Sequence, residues 1–276
     1  MSSEVFNKEN LDTYLKELGK EYRRLFGKNV PAEIILIGGA SVLVKYTFRQ
    51  MSSDVDAIIR SAAAINDAIN IVGNKHDLPY RWLNDDFMQT ESYTPKLLRY
   101  CQPYRTFSNV LNVRTVSAEY LVAMKLCSGR KYKHDLSDIV GILGEHEKLG
   151  SPITMEDINV AVQNLYGGWD VLPKDSVTFI QDVFRNGDYE ALYERVCKEE
   201  EVARDLLVEF ESKYPGVTNG ANVNDILAEL KARQEKESLA SVLENAHARF
   251  AKEETNGDSE QVQKQQKSSE PPSYNR

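Results

Sequence analysis

The chain has 276 residues, 41% of them hydrophobic and 28% charged, and its 42 acidic side chains outnumber 34 basic ones, for a formal net charge of −8. That balance excludes a uniformly basic nucleic-acid coat protein, and the length suffices for one large domain or two small ones with cores of their own. Cys101, Cys127 and Cys197 are odd in number, widely spaced and never in a CxxC pair, which argues against a disulfide framework or structural zinc and for a reducing cytoplasmic setting. No basic stretch leads into an apolar one at the start, and no window approaches the ~20 apolar residues of a bilayer span, so neither secretion nor a membrane is expected.

Residues 10–26 place Leu11, Tyr14, Leu15, Leu18, Tyr22, Leu25 and Phe26 at helical spacing behind an Asn10 cap, and Gly27 stops the run. Glu33–Ile37 reads as a buried strand that turns sharply at Gly38-Gly39 into a short helix, Ala40 to about Thr47. Val55–Ile59 is a second strand and Ser61–Val72 a helix. From Gly73 to Phe107 the chain reads as a long polar and aromatic loop with three prolines, and loops of that length are usually functional. Asn109–Val116 alternates as a third strand, after which Ser117 caps a helix through Leu126. A helix from about His134 through Leu143 follows. From Thr154, which opens a capping box with Asp157, the pattern is helical almost throughout, including a long polar helix capped by Asn224. Residues after about Thr255 have almost no apolar side chains and are expected to be disordered. The expected organisation is a mixed α/β domain over 1–150 with a small sheet, an all-helical region over 151–254 and a tail over 255–276.

The chemistry concentrates in Ile37-Gly-Gly-Ala-Ser41 and, after a short helix, Arg49 and Ser52-Ser-Asp-Val-Asp56. Side chains at i and i+2 of a strand share a face, so Asp54 and Asp56 project together while Val55 points inward. Two adjacent carboxylates repel, and a cation between them relieves the repulsion. Oxygen-only ligands suit Mg²⁺, with Mn²⁺ as an alternative, the shell being completed by phosphates and water. Gly38 and Gly39 let backbone amides approach an anion, and the helix that follows presents its positive end and the Ser41 hydroxyl. A phosphate cradle beside a metal dyad makes a nucleoside-triphosphate site. Ser52 is placed either on a phosphate or at the end of its loop, and Arg49 either on the nucleotide or in a bracing pair with an aspartate.

In this order the segments resemble the nucleotidyltransferase superfamily that shares its fold with DNA polymerase beta, whose signature is a hydrophobic residue, Gly-Gly or Gly-Ser, a spacer and an Asp-x-Asp dyad. The likeness is greatest to uncharacterised bacterial nucleotidyltransferase-like proteins and AbiEii-type toxin relatives. It rests on Ile37–Ala40, Arg49, Ser52, Asp54-Val-Asp56, Tyr120–Leu126, Arg130 and Lys133-His-Asp135-Leu-Ser-Asp138-Ile139, with Trp82-Leu-Asn-Asp85 as a further element. It covers about residues 30–145. The spacer from Gly39 to Asp54 is slightly longer than the usual form, and the next strand offers Asn109 and Asn112 where many polymerase-like enzymes carry a third carboxylate. In the toxin-like branch a helical lysine and a later aspartate complete the site, which implies Lys125 for the triphosphate charge and Asp135 or Asp138 for the third acid. The resemblance implies transfer of a nucleoside monophosphate to a hydroxyl, with a tRNA end or a protein side chain as acceptor and an antitoxin as partner. The alternative is a regulatory nucleotide-binding module with a degenerate site.

The remaining signals are weaker. Trp82 and its neighbouring tyrosines either stack on a base or form a small core within the loop. The four histidines have no metal-ligand spacing. The Glu199–Glu201 run reads as a solvated helix face. Between residues 96 and 134 eight basic side chains face only Glu119; they either pair with acidic helices or line a basic groove within an acidic whole.

Overall fold

A computed structural model describes residues 6–61, 65–220 and 222–236. By its internal contacts the chain divides into two units, Met1–Arg204 and Asp205–Arg276.

The first unit is built on a five-stranded mixed sheet of order β3-β2-β1-β5-β4. Its centre is β1 (Ala32–Leu36), an apolar run because a strand buried on both faces has no solvent side. β1 pairs antiparallel with β2 (Val55–Ser61) and parallel with β5 (Leu111–Val116). β4 (Cys101–Phe107) runs antiparallel to β5 on one edge, and the two-residue β3 (Leu83–Asn84) parallel to β2 on the other. Alternation divides the side chains between two cores. Ile34, Leu36, Val55 and Ala57 join α1 (Lys8–Phe26) and α3 (Ile65–Lys75) on one face. Ile35, Ile37, Ile58 and Val116 join α4 (Ala118–Ser128), α5 (Asp135–Lys148), α6 (Met155–Tyr166) and α7 (Lys174–Asn186) on the other. The short α2 (Gly38–Lys45) links β1 to the loop before β2, and α8 (Tyr189–Lys213) follows α7. In the second unit residues 223–236 are helical, so Asn224 lies inside that helix rather than capping it; residues 237–254 of the expected helical region and the expected tail lie outside the described residues.

Several expectations are corrected. The stretch read as a loop holds β3 and β4. β4 escapes a sequence reading because Pro103 sits within it, tolerated on an edge strand beside the irregularity between Pro103 and Arg105. Asn109 is not a strand residue: Ser108 and Asn109 take φ of 51° and 56° and turn β4 into β5, the left-handed pair that a tight hairpin requires. The N-cap of α1 is Asn7, in a reciprocal box with Asn10. Ser117 precedes α4 without a side-chain cap; its hydroxyl donates to the Tyr100 carbonyl at 2.7 Å. The Thr154 and Asp157 box forms as expected. No helix among the described residues is long and apolar enough to cross a membrane.

Candidate active site

Because Val55 and Ala57 face the α1/α3 core, Asp56 faces the α4/α5 side, where a cleft of about 550 Å³ opens. Gly38 and Gly39 at the start of α2, Asp54 just before β2 and Asp56 on β2 line it on one side, and Lys125 of α4, Asp135 of α5 and Arg130 and Lys133 in the loop between them on the other. The glycines have distinct roles. Gly38 sits at φ 53°, and a Cβ there would lie 3.9 Å from Asp56 Oδ2. A Cβ on Gly39 would approach Arg49 Nη2 and Ser52 Oγ to 3.0 Å each. Gly39→Ala is therefore expected to displace Arg49 and cost about 1–2 kcal/mol in chemical denaturation, as overpacking does; an unchanged midpoint would show that the guanidinium moves without penalty.

Asp56 is partly buried. Burial first, then Asp54, raise its carboxyl to about 6, with a smaller push from Asp86 and against the pull of Lys133 and Arg130. Asp54 is exposed at the rim.

Opposite the dyad lies a buried ionic network. α4 is buried on nearly all sides, so Lys125 near its end is 3% exposed. Its Nζ lies 2.7 Å from Asp138 Oδ2 and 3.1 Å from Asp135 Oδ1. Asp135 also accepts from Arg130 Nε at 2.8 Å and Nη2 at 3.2 Å, and Asp138 accepts from Arg49 Nη1 at 2.7 Å. The two aspartates, three residues apart, share a face in the first turn of α5, where the helix dipole favours anions. Burial alone would lower Lys125, but Asp138 and Asp135 override it and raise its pKa. Burial would raise Asp135, yet Lys125 and Arg130 hold it well below the usual carboxylate range.

The expected site residues thus fall into two sets. Gly38, Gly39, Arg49, Asp54, Asp56, Lys125 and Asp135 meet at the cleft. Ser41 is fully buried, its hydroxyl without a hydrogen-bond partner among the described residues, and does not line it. Ser52 is 1% exposed, donates its hydroxyl to the Asp54 carbonyl at 3.0 Å and pairs its backbone with Phe6, so it braces the loop, and Ser53 lines the cleft instead. Arg49 pairs with Asp138, the bracing alternative, while remaining a cleft residue. Asp138 is buried beneath the cleft and absent from its lining. Sequence reasoning did not place Asn84 and Asp86 in the site, and it had Lys133 only among the eight bases divided between acidic pairing and a basic groove. The signal for Asn84 was the Trp82–Asp85 segment, in which Asn84 pairs with Asp56 across β3 and β2. Trp82 itself is core, its indole donating to the Ile69 carbonyl at 3.0 Å.

The basic stretch is mostly neutralised. Arg105 pairs with Asp12, Arg114 with Glu33 and Lys131 with Asp175. Lys133 is exposed at the cleft and makes no ion pair within 4 Å among the described residues.

Glu200, expected on a solvated face, is 3% exposed. Its Oε1 accepts from the Leu136 and Ser137 N–H groups at 2.9 and 3.3 Å, capping α5 from α8, while Oε2 has no hydrogen bond and lies 3.9 Å from His134 Nδ1. Burial pushes Glu200 up to about 7 against those hydrogen bonds, with Asp138 adding repulsion. A carboxyl raised above its unfolded value contributes stability present below pH ~4.5 and lost as pH rises toward 7. Relative to Glu200→Gln, the natural protein is therefore expected to lose up to about 3 kcal/mol between those pH values. Parallel pH profiles of unfolding free energy would remove this assignment.

Residues 13–147 match the model of a family described as "Nucleotidyltransferase of unknown function (DUF6036)". No curated protein and no solved structure gives a significant match. The matched residues contain the glycine turn, the Asp54/Asp56 dyad and the whole Lys125 network, and the match supports a nucleotidyltransferase-like family for this region of the chain.

Proposed function

We propose that the protein is a Mg²⁺-dependent nucleotidyltransferase that moves a nucleoside monophosphate from a triphosphate to a hydroxyl acceptor with release of pyrophosphate. The observation that carries the reading is Asp56: a carboxylate raised by burial and by Asp54, on the sheet face that opens beside Gly38. Such a pair is poor on its own and good around a cation, and its oxygen donors suit Mg²⁺, or Mn²⁺, with phosphates and water completing the shell. Bound there, the cation would supply charge neutralisation for the phosphate oxygens.

The chain's own residues do the rest. Gly38 and Gly39 leave room for a phosphate at the start of α2. Lys133 takes the triphosphate charge assigned by resemblance to Lys125, because Lys125 is already matched by two carboxylates. Arg49 and Asp138 hold the wall of the glycine turn, and Asp56, beside Asp54, is placed to accept a proton from an attacking hydroxyl. Lys133→Ala is expected to weaken Mg·NTP binding about tenfold, the worth of one charge-assisted contact, with no change in unfolding midpoint; unaltered affinity would remove Lys133 from the site.

A tRNA end or a protein side chain as acceptor, an antitoxin partner and kinship with AbiEii-type toxins rest on the resemblance alone. A non-catalytic nucleotide-binding module is the second reading, favoured by the ion pairs that occupy Asp135, Asp138 and, through Arg81, Asp86, the acids nearest the dyad that could complete a triad. Incubation with each labelled NTP, Mg²⁺ and either total RNA or cell lysate decides between them. Label transfer abolished by Asp54→Ala with Asp56→Ala supports the enzyme, whereas tight Mg·NTP binding without transfer supports the module.

A further inference from the structure

A second cavity, of about 400 Å³ and within the size range of small-molecule sites, is lined by β2, α3, β3 and the turn before β3. Its lining is mostly polar, with Ile59, Ile65, Ile69 and Leu83 as its apolar members. Asn84 lines both this cavity and the cleft.

Three amides converge on it. Asn66 and Asn70 lie one turn apart on α3, hence on one face, and neither side chain makes a hydrogen bond among the described residues. Asn84 accepts from the Asp86 N–H at 3.0 Å through Oδ1, which leaves its amide N–H groups to donate. At the rim stands Tyr80, 90% exposed, without a hydrogen bond or ring contact among the described residues. It is carried on the turn Pro79–Trp82, closed by the Trp82 N–H donating to the Pro79 carbonyl at 2.9 Å. Arg81 occupies the third position of that turn at φ 57°, where glycine is the ordinary choice. The turn is pinned at its C-terminal end, by the Trp82 indole on the Ile69 carbonyl and by Arg81 Nη2 on Asp86 Oδ1 at 2.7 Å. A backbone held in a sparsely populated conformation, presenting an exposed ring over a cavity, points to a ligand.

We propose that this cavity binds a nucleobase, with Tyr80 stacking on its face and the asparagine amides meeting its edge. An exposed ring at the rim of a mostly polar cavity suits a flat heterocycle, since every base offers a π-face and a polar edge. Amides carry a donor and an acceptor side by side, the pattern with which asparagine pairs with a base edge. A phosphate is the poorer occupant, because Arg81, the one cation lining the cavity among the described residues, is neutralised by Asp85 and Asp86. The inference deepens the nucleotidyltransferase reading and rests on it for the choice of ligand, which is either the base of the triphosphate or a base of a nucleic-acid acceptor.

The test is equilibrium binding to the full chain of the four nucleosides, the four Mg·NTPs and an eight-nucleotide single-stranded RNA. These are compared across the natural protein, Tyr80→Ala, Asn66→Leu with Asn70→Leu, and Asp54→Asn with Asp56→Asn. At least one nucleoside is expected to bind, about tenfold more weakly to Tyr80→Ala, with the order of preference among bases altered by the paired asparagine change. The cleft variant is expected to retain nucleoside binding while losing Mg·NTP binding. Weaker Mg·NTP binding to Tyr80→Ala assigns the cavity to the donor base; weaker RNA binding with unchanged Mg·NTP binding assigns it to the acceptor. Absence of nucleoside binding to the natural protein, or affinities indifferent to both cavity variants, would overturn the proposal. A cleft variant with undiminished Mg·NTP affinity would instead overturn the reading of Asp54 and Asp56.

Discussion

Asp56→Asn is expected to lower nucleotidyl transfer on the order of a thousandfold while leaving the metal-free protein at least as stable as before. The activity loss follows from the role assigned to the carboxylate, since removing one preorganised electrostatic group from a phosphoryl-transfer site typically costs two to three orders of magnitude. The stability change follows from its environment. In the folded chain burial and Asp54 raise the Asp56 carboxyl from its ordinary 3.8 to about 6. Its contribution is thus fully present below pH ~3.8 and lost as pH rises through about 6, so at pH 8 its ionisation opposes folding. Asparagine removes that cost, and its thermal midpoint should exceed the natural protein's at pH 8, the difference closing in acid. Added Mg²⁺ should raise the midpoint of the natural protein and not that of the variant, because a ligand stabilises only a state that binds it. A variant melting lower at pH 8, or equal stabilisation of both proteins by Mg²⁺, would show that Asp56 is not a cation-binding carboxylate held at a cost to the fold.

What could be read from the sequence and what could not divides along the range of the interactions. β1, β2, the glycine turn and the Asp-x-Asp dyad are local: a continuous apolar run, two glycines and alternation with period two suffice. So is the Thr154 capping box. β4 was hidden by Pro103 and β3 by its length of two residues, and with β3 went the knowledge that Asn84 stands beside Asp56. Charge partners were hidden altogether. Arg49 meets Asp138, and Glu200 caps α5, through separations of 89 and 64 residues that no spacing rule reports. Lys125 stands in an apolar helical run and Lys133 in a basic stretch before the next helix, yet sequence assigns neither a partner. Only the packing of α4 against its neighbours buries the first and leaves the second in the cleft.

That difference makes Lys125→Met the most destabilising substitution expected near the site, at about 3–5 kcal/mol, the cost of removing one partner from a buried ion pair. Methionine fills the volume of the lysine stem, so the loss is electrostatic. Asp135 keeps Arg130 and Asp138 keeps Arg49, but two carboxylates each 2% exposed then share the first turn of α5 with no cation between them. A whole domain holds only about 5–15 kcal/mol, so the midpoint in urea should fall markedly at an unchanged slope. Adding Asp138→Asn to Lys125→Met should restore part of the loss, since it removes one of the stranded charges, and the double-mutant cycle should report a coupling of about 1–3 kcal/mol. Mg·NTP affinity, measured where both proteins are folded, separates this role from the one implied by resemblance. A lysine that holds the triphosphate would lose affinity at unaltered stability. A lysine that holds Asp135 and Asp138, and through Asp138 shares in fixing Arg49 over Gly39, would lose stability first, with Lys133→Ala showing the reverse pattern.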